Sequence, residues 1–399
     1  MKLSIGPGAM VAAAFIGPGT VTTATATGAA TGLTLAWAIV LSILATLVLQ
    51  ELAVRTALAT NRDLAQLIRR MGAGQWWGLP TVGLVVIAIG FGNAAYQSGN
   101  LSGAAIGLSS VLPIGFDGVV LLTSTLAGVL IVLDRYRLLE GMLVFLVGMM
   151  AALFIGLALF CLPALLALEP DRVLPSLGVQ EATLVLALIG TTVVPYNLFL
   201  HATAARRRWS GVPVGQAILE AKAEATLAIL VGGVITFAVM AVAAAVLSGA
   251  EQEGVLNALM QAVNQRAEGW GTWVVGGGLF AAGLTSAIAA PVAAGWAVCG
   301  ALGLSTAPNS RAFKVVALTV LAIGWVFAVV TERPVGLIVT AQATNAVLLP
   351  LVALILLGLA NSNIVPSSYR NSRGRNAASG VVVVVILLLA GTKLWTLLA

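Results

Sequence analysis

The sequence contains very little charge for its length. Only 9% of its 399 residues are Asp, Glu, Lys or Arg, whereas charged residues make up about 25% of an average soluble domain. Apolar residues account for 60% of the chain, and the mean hydropathy is +1.05. Because such a chain cannot cover its surface with polar groups in water, the composition excludes a soluble enzyme and a disordered protein.

Cysteine and catalytic motifs are also scarce. The two cysteines, Cys161 and Cys299, lie inside apolar runs, so a disulfide-stabilised scaffold is excluded. The sequence lacks the His-Glu-x-x-His, Cys-x-x-Cys and Gly-x-Ser-x-Gly motifs that carry metalloprotease, redox and hydrolase chemistry. We therefore expect neither an enzyme activity nor a cofactor.

Long apolar runs, in contrast, are abundant. A helix needs about 20 apolar residues to cross a hydrocarbon core about 30 Å thick, and continuous runs favour helices over a β-barrel. The predicted fold is an all-α polytopic membrane protein in which a single transporter domain fills residues 1–399. The eleven predicted spans cover residues 7–30, 33–58, 80–111, 117–133, 139–165, 182–205, 221–248, 270–301, 312–331, 335–359 and 379–397.

The charges in the predicted loops indicate how the chain is oriented. Of the 20 Lys and Arg residues, all but Arg172, Arg266, Arg333 and Lys393 fall on the side that carries the N-terminus. Cytoplasmic loops carry the excess of Lys and Arg, so we expect a multi-pass protein of the cell (inner) membrane with a cytoplasmic N-terminus and an external C-terminus. The same asymmetry accounts for the pI of about 9.8 without nucleic acid as a partner.

Two of the predicted spans contain a helix-breaking proline in the middle. The first span has Pro18 between Gly17 and Gly19, and the sixth has Pro195. Proline removes an amide donor and disfavours helix before it, and irregular backbone inside a membrane survives only in a cavity or in packed protein. Five spans separate the breaks, so the halves enter the membrane inverted, which is typical of a transporter site at the midplane. Packing kinks are the alternative interpretation.

Several short motifs follow one another from the first span to the tenth. They are Gly6-Pro7-Gly8 with Ile16-Gly17-Pro18-Gly19-Thr20, Asn61-Arg62-Asp63-Leu64-Ala65, Val194-Pro195-Tyr196-Asn197-Leu198-Phe199-Leu200-His201, Ala282-Gly283-Leu284-Thr285-Ser286 with Gly295, and Gln342. In this order they resemble the Nramp (natural resistance-associated macrophage protein) family of metal-ion transporters. The first and sixth helices of that family carry Asp-Pro-Gly-Asn and Met-Pro-His-Asn-Leu-Tyr-Leu-His.

The resemblance implies a LeuT-type 5+5 inverted repeat with broken helices 1 and 6. Repeat one would cover about 5–165 and repeat two about 182–359, with an additional helix at about 379–397. It also implies alternating access, and usually proton-coupled import of manganese or iron.

The positions of the family's metal ligands differ in this chain. The Asp and Asn of the first helix correspond to Gly17 and Thr20, the Met of the sixth helix to Val194, and the ligating carbonyl to Thr191 or a neighbour. The His of the sixth-helix motif corresponds to Tyr196. The predicted substrate-binding residues are Gly17, Thr20, Thr191, Val194, Tyr196, Asn197 and Gln342.

Because of these replacements, the resemblance does not determine the identity of the substrate. Manganese prefers carboxylate and carbonyl ligands, and a dehydrated dication without an anion would bear a large desolvation cost. We therefore expect that a tight transition-metal site is lost, and no metal ligand is assigned. A hydrated divalent metal ion remains one alternative; a small anion such as bicarbonate or a carboxylate, or a polar organic molecule, is the other, and sodium coupling is open.

Four residues are candidates for ion coupling. Gln97 and Asn100 stand where the family has acids in the third helix, and His201 is the only histidine in the chain. Ionisable groups within a membrane usually mark ion paths, but a hydrogen-bonded interhelical histidine is the alternative for His201. Glu51 near Arg55 is read first as an ion pair.

Other classes of membrane protein fit the sequence less well. Continuous helices would favour a channel, whereas this sequence predicts two broken ones. A sensor usually needs a soluble output domain, and the sequence does not indicate one. The expected partners are a small inorganic or polar solute and the lipid bilayer, and a monomer is left open as the oligomeric state.

Overall fold

The chain folds into helices throughout its described length. A computed structural model describes residues 7–133, 136–175, 181–247, 254–331 and 334–398. Side chains are described for these residues except 136–137, 337, 339–341, 343–347, 389 and 392–398.

Nine α-helices lie in the described residues of the first half of the chain. They are α1 (Pro7–Phe15), α2 (Pro18–Thr31), α3 (Ala36–Thr60), α4 (Leu64–Met71), α5 (Gly78–Val85), α6 (Gly92–Ser109), α7 (Phe116–Leu133), α8 (Tyr136–Phe160) and α9 (Leu162–Leu166). A π-helical turn, Val86–Phe91, joins α5 to α6 within the predicted third span. Such π-bulges often occur at functional sites.

The described residues of the second half form eight more. They are α10 (Ala182–Thr192), α11 (Pro195–Arg208), α12 (Val214–Val246), α13 (Val255–Arg266), α14 (Gly271–Leu302), α15 (Arg311–Val330), α16 (Pro334–Asn361) and α17 (Arg373–Leu398).

The membrane-spanning elements agree with the prediction in kind. Eight helical stretches of the described chain are long and apolar enough to cross a bilayer, and the bent pair α1–α2 makes a ninth. Helices α16 and α17 occupy the predicted tenth and eleventh spans. Within α16 the stretch Leu348–Asn361 is apolar but shorter than a full membrane span. The polytopic helical fold is confirmed, while the count of eleven and the inverted repeat stay predictions.

Both predicted helix breaks are present. Helix α1 ends at Phe15 and α2 begins at Pro18, with a 45° bend between them and Gly17 in an extended conformation. In the sixth span α10 ends at Thr192 and α11 begins at Pro195. In each case proline is the first helical residue, where its missing amide hydrogen leaves no intrahelical bond unmade.

Small residues bring the central helices close together. A Cβ atom added to Gly283 of α14 would lie 2.5 Å from the backbone nitrogen of Ala104 in α6, so the two backbones touch. One added to Gly103 of α6 would overlap the ring of Pro18. Close approach through small residues is the usual way in which membrane helices pack. Helix α6 therefore supports the first helix break directly.

The eleven predicted spans leave 60–78, 249–269 and 360–378 as connectors between them, but the described residues of these segments contain further structure. The first contains α4, and the described part of the second contains α13. The third is bound to α3, because the Arg55 guanidinium donates to the Tyr369 carbonyl and to Asn371 Oδ1.

The buried carboxylate of Asp63 joins three elements at the end of α3. Its two oxygens accept from Arg206 Nε of α11 at 2.9 Å and from the Thr306 hydroxyl at 3.0 Å. Asp63 also caps α4 through a reciprocal pair of bonds with Gln66. This carboxylate therefore ties the end of the sixth span to α4 and to the loop after α14.

Candidate functional site

The two helix breaks meet through a pair of threonine side chains. The Thr20 hydroxyl donates to the Phe15 carbonyl at 2.8 Å, and its oxygen lies 3.0 Å from the Thr191 hydroxyl. Because the Thr20 proton is committed to Phe15, Thr191 is the donor of the second bond. Both side chains are buried. Thr20 and Thr191, predicted as site residues, are thus in direct contact.

The carbonyl end of α1 is bound by side chains from other helices. Ser286 of α14 donates to the Ala13 carbonyl at 3.1 Å, and Asn197 Nδ2 of α11 donates to the Val11 carbonyl at 3.3 Å. With Thr20 on Phe15, three carbonyls of α1 accept from hydroxyl or amide donors. Asn197 Oδ1, by contrast, is buried and has no partner among the described residues.

Gln342 lies directly over the start of α2. A Cβ atom on Gly19 would overlap the Gln342 amide nitrogen, so only glycine leaves room for this side chain. The Tyr96 hydroxyl of α6 donates to Gln342 Oε1, and the Tyr96 ring meets the Tyr196 ring edge-on with centroids 5.9 Å apart. The predicted residues Gln342 and Tyr196 are therefore linked through Tyr96.

Gly17 faces α14 and α6 rather than α10. A Cβ atom at Gly17 would lie 2.9 Å from Ser286 Oγ and 3.9 Å from Asn100 Oδ1. Ser286 therefore fills the space that the side chain of a larger residue 17 would enter. Gly17 is half-buried, whereas Val194, the residue before α11, is buried.

The two candidate coupling residues of the third span bond mainly to each other and to α14. Gln97 Nε2 donates to the Ala287 carbonyl at 3.0 Å, and Asn100 Nδ2 donates to Gln97 Oε1 at 3.3 Å. This neutral pair lies beside Ser286 and Gly17, so Asn100 borders the central site.

His201 and Glu51 lie apart from the helix breaks. The imidazole Nδ1 of His201 is 2.9 Å from Gln50 Oε1, so the side chain is hydrogen-bonded between helices. Glu51 forms an ion pair with Arg55 at 2.8 Å. The structure therefore brings the seven predicted binding residues and Asn100 to one region and leaves these two coupling candidates outside it.

Four helix ends converge on this region. The carbonyl ends of α1 and α10 and the amide ends of α2 and α11 carry partial charges of roughly half a unit each. Neither amide end has a side-chain cap. Within the described part of the chain no group of three or more His, Cys, Asp or Glu residues could hold a metal ion. The site is thus built from hydroxyls, amides and helix ends.

Comparison with known proteins identifies the family. The sequence profile described as natural resistance-associated macrophage protein-like (Nramp) matches residues 8–396. The chain belongs to the Nramp family. Its Nramp relatives are membrane transporters and not enzymes, in agreement with the expectation from the sequence.

Curated relatives carry the name of a metal transporter. The divalent metal cation transporter MntH of Mesorhizobium japonicum is 27% identical over 409 residues, covering 96% of this chain and 87% of that protein. MntH of Pectobacterium carotovorum is 29% identical over 253 residues, covering 61% of this chain and 59% of that protein.

Solved structures support the fold. The Eremococcus coleocola manganese transporter superposes with a TM-score of 0.80 at 22% identity, covering 96% of this chain and 84% of that one. Mhp1, a nucleobase-cation-symport-1 family transporter, superposes with a TM-score of 0.61 at 12% identity, covering 98% and 92%. At these identities the likeness establishes the architecture of this Nramp protein and nothing finer.

Sequence reasoning missed two residues of the site. Ser286 was noted only as part of a small-residue motif, and Tyr96 was not singled out. A signal existed for Tyr96, since it is one of four tyrosines and precedes the polar pair Gln97 and Ser98. Ser286 gave no comparable signal, because its contact with Ala13 joins residues 273 positions apart.

Proposed function

We propose that this Nramp protein is a secondary transporter that works by alternating access and holds its substrate between the two helix breaks. The contact between Thr20 and Thr191 supports this placement, because it joins the two breaks at their ends. Irregular backbone within a membrane is typical of a substrate site in transporters with broken helices.

We infer further that the substrate is not a dehydrated transition-metal ion. The observation that carries this inference is the bonding of Ala13 and Phe15, whose carbonyls accept from Ser286 and Thr20. Those carbonyls are therefore already occupied by protein donors. Gly17 supplies no carboxylate, so a bare dication would meet only neutral ligands and would keep most of its desolvation cost.

A small anion or a polar organic molecule suits the remaining groups better. The uncapped amide ends of α2 and α11 favour negative charge, and the hydroxyls and amides around them supply further hydrogen bonds. Bicarbonate and small carboxylates have this chemistry.

A hydrated divalent cation is the second candidate. Asn197 Oδ1 is a buried acceptor without a described partner, and magnesium-like ions keep several waters and bind through few protein oxygens. The names of the MntH relatives support this alternative.

Uptake into proteoliposomes tests the proposal. Radiolabelled bicarbonate, acetate and Mn²⁺ would be offered to the wild-type protein and to the Thr20→Val and Gln342→Ala variants. We expect uptake of an anion that both variants reduce at least tenfold. Saturable Mn²⁺ uptake at micromolar concentration that falls in both variants would refute the inference about the substrate, while uptake of no solute would refute the transporter proposal.

A further inference from the structure

A proline inside α14 leaves one backbone carbonyl without its helical partner near the central site. Pro291 has no amide hydrogen, so the carbonyl of Ala287, four residues earlier, cannot form its usual bond within α14. Gln97 of α6 replaces that bond, because its Nε2 donates to the Ala287 carbonyl at 3.0 Å. Gln97 is fully buried, so this bond is shielded from solvent.

The Ala287 carbonyl fixes the orientation of two side-chain amides. A carbonyl oxygen only accepts, so Gln97 turns its Nε2 towards Ala287 and presents its Oε1 to Asn100. Asn100 lies 3.3 Å from that oxygen and donates to it through Nδ2. If the Gln97 amide were turned over, two acceptors would face each other at Ala287. The Asn100 amide therefore has one orientation, in which its Oδ1 points away from Gln97.

Asn100 Oδ1 lies beside the accessible backbone of the first helix break. It is 3.9 Å from the position that a Cβ atom on Gly17 would take, and Gly17 is only half-buried. Asn100 Oδ1 accepts no hydrogen bond from a described residue, and unlike Asn197 Oδ1 it is not fully enclosed. A solute held beside Gly17 can therefore reach this acceptor.

Two hydroxyl groups near Gly17 have no proton to offer a solute. Ser286 donates to the Ala13 carbonyl at 3.1 Å, and Thr20 donates to the Phe15 carbonyl at 2.8 Å. Like Asn100 Oδ1, these oxygens can only accept from a solute. The uncapped amide end of α2 supplies donors at the same break. Acceptor side chains and donor backbone thus lie next to each other.

We propose that the solute presents a hydrogen-bond donor to Asn100 Oδ1, so that the transporter selects small anions that carry a hydroxyl group, such as bicarbonate or a 2-hydroxy carboxylate. The charged oxygens of the anion meet the amide end of α2, and its hydroxyl donates to Asn100. A simple carboxylate has no proton to donate and leaves this acceptor unpaired. The inference rests on the proposed anion transport and narrows its substrate class.

Gln97 is a positioning residue in this arrangement. It fixes the Asn100 amide through the Ala287 carbonyl and does not itself contact the solute. Without Gln97 the Asn100 amide can rotate and present its Nδ2 to the solute instead, so selectivity for a hydroxyl group should fall while Asn100 is still present.

Competition against uptake of radiolabelled glycolate into proteoliposomes tests the proposal, because glycolate and acetate differ by one hydroxyl group. A site that bonds a hydroxyl rejects the analogue without it. We expect acetate to compete at least about tenfold less well than unlabelled glycolate. Methoxyacetate, whose hydroxyl is capped, should compete as poorly as acetate. The ratio between acetate and glycolate should fall to about one in Asn100→Leu and by about threefold or more in Gln97→Leu.

Asn93→Leu is the matched control for the positioning role. Asn93 is also a buried amide of α6 that donates to a carbonyl of α14, in this case Ala290 at 3.0 Å. Its removal should lower the unfolding temperature, as Gln97→Leu does, but should leave the ratio between acetate and glycolate unchanged. An equal fall of the ratio in both variants would contradict a specific role for Gln97.

The outcomes distinguish this inference from the proposed function. Equal competition by glycolate and acetate, with uptake that still depends on Thr20, would overturn the hydroxyl requirement and leave anion transport between the breaks intact. Uptake of neither anion nor bicarbonate would overturn both. An unchanged ratio in Asn100→Leu would overturn the role of Asn100. The comparison of methoxyacetate with glycolate uses the wild-type protein, so it decides on the hydroxyl requirement even if Asn100→Leu does not fold.

Discussion

Single residues at the helix breaks occupy space that glycines leave open. Gln342 lies over Gly19, and Ser286 lies where a side chain on Gly17 would begin. The first break is thus lined by side chains from α16 and α14, whose positions depend on the absence of a Cβ atom in the first span. Substitutions at these glycines should therefore act through their neighbours.

The Gly19→Ala variant tests this dependence. The added methyl group would overlap the Gln342 amide, so we expect unfolding to become easier by about 1–3 kcal/mol, as for other overpacked cores. Combining it with Gln342→Ala should recover most of the loss. Gly156→Ala is the control, because nothing lies within 4 Å of its Cβ position. Scanning fluorimetry of the purified variants provides the measurement, and additive effects of Gly19→Ala and Gln342→Ala would contradict the contact.

The Thr20 hydroxyl supports the break by a different means. Thr20→Val keeps the shape of the side chain but leaves the buried Phe15 carbonyl without its donor, which should destabilise the fold by about 1–3 kcal/mol. Thr31→Val removes a bond to a helical carbonyl at a less buried position and should cost less. Equal unfolding temperatures for the two variants would show that the Thr20 bond is unimportant.

The broken helices show how far local sequence determines the elements. Pro18 and Pro195 predicted both breaks because the missing amide hydrogen is a property of the residue itself. The short helices α4 and α13 were missed, since each lies in a polar stretch that was taken as a connector. The bond between Ser286 and Ala13 could not be predicted either, because it depends on how α14 packs against α1.

Removing the proline of the second break tests the role of that break. Pro195→Ala restores an amide donor, and we expect at least a tenfold loss of transport with a folded protein. Pro350→Ala is the control, because Pro350 lies inside α16 without interrupting it, and it should retain transport. Circular dichroism measures whether each variant is folded, and uptake into proteoliposomes measures its transport. Unimpaired transport in Pro195→Ala would contradict a functional break.

The carboxylate of Asp63 joins helices whose ends lie far apart in the sequence. Asp63→Asn weakens its bonds to Arg206 and Thr306 and should lower the free energy of unfolding by about 1–3 kcal/mol, less than for a fully buried pair because Arg206 is partly exposed. The same change at the exposed Asp117 provides the control. Chemical unfolding followed by tryptophan fluorescence measures the free energy of unfolding of the two variants. Equal values for Asp63→Asn and Asp117→Asn would show that the Asp63 bonds contribute little to stability.

At the scale of the whole molecule, an Nramp architecture encloses a central region without charged side chains among its predicted binding residues. The fold follows from the apolar runs and their two breaks, both readable in the sequence. The contacts at the first break come from α6, α14 and α16 together. If the substrate binds there as proposed, the same architecture would carry a different solute when the ligands at three or four positions change.

Isothermal titration calorimetry of Mn²⁺ with the purified protein tests most directly whether the tight transition-metal site is lost. The wild-type chain should show no binding tighter than millimolar. A variant that restores the family ligands, Gly17→Asp, Thr20→Asn and Val194→Met together with Ser286→Ala to make room, should gain micromolar affinity. Micromolar binding by the wild type that is lost in Thr20→Val or Gln342→Ala would contradict the account.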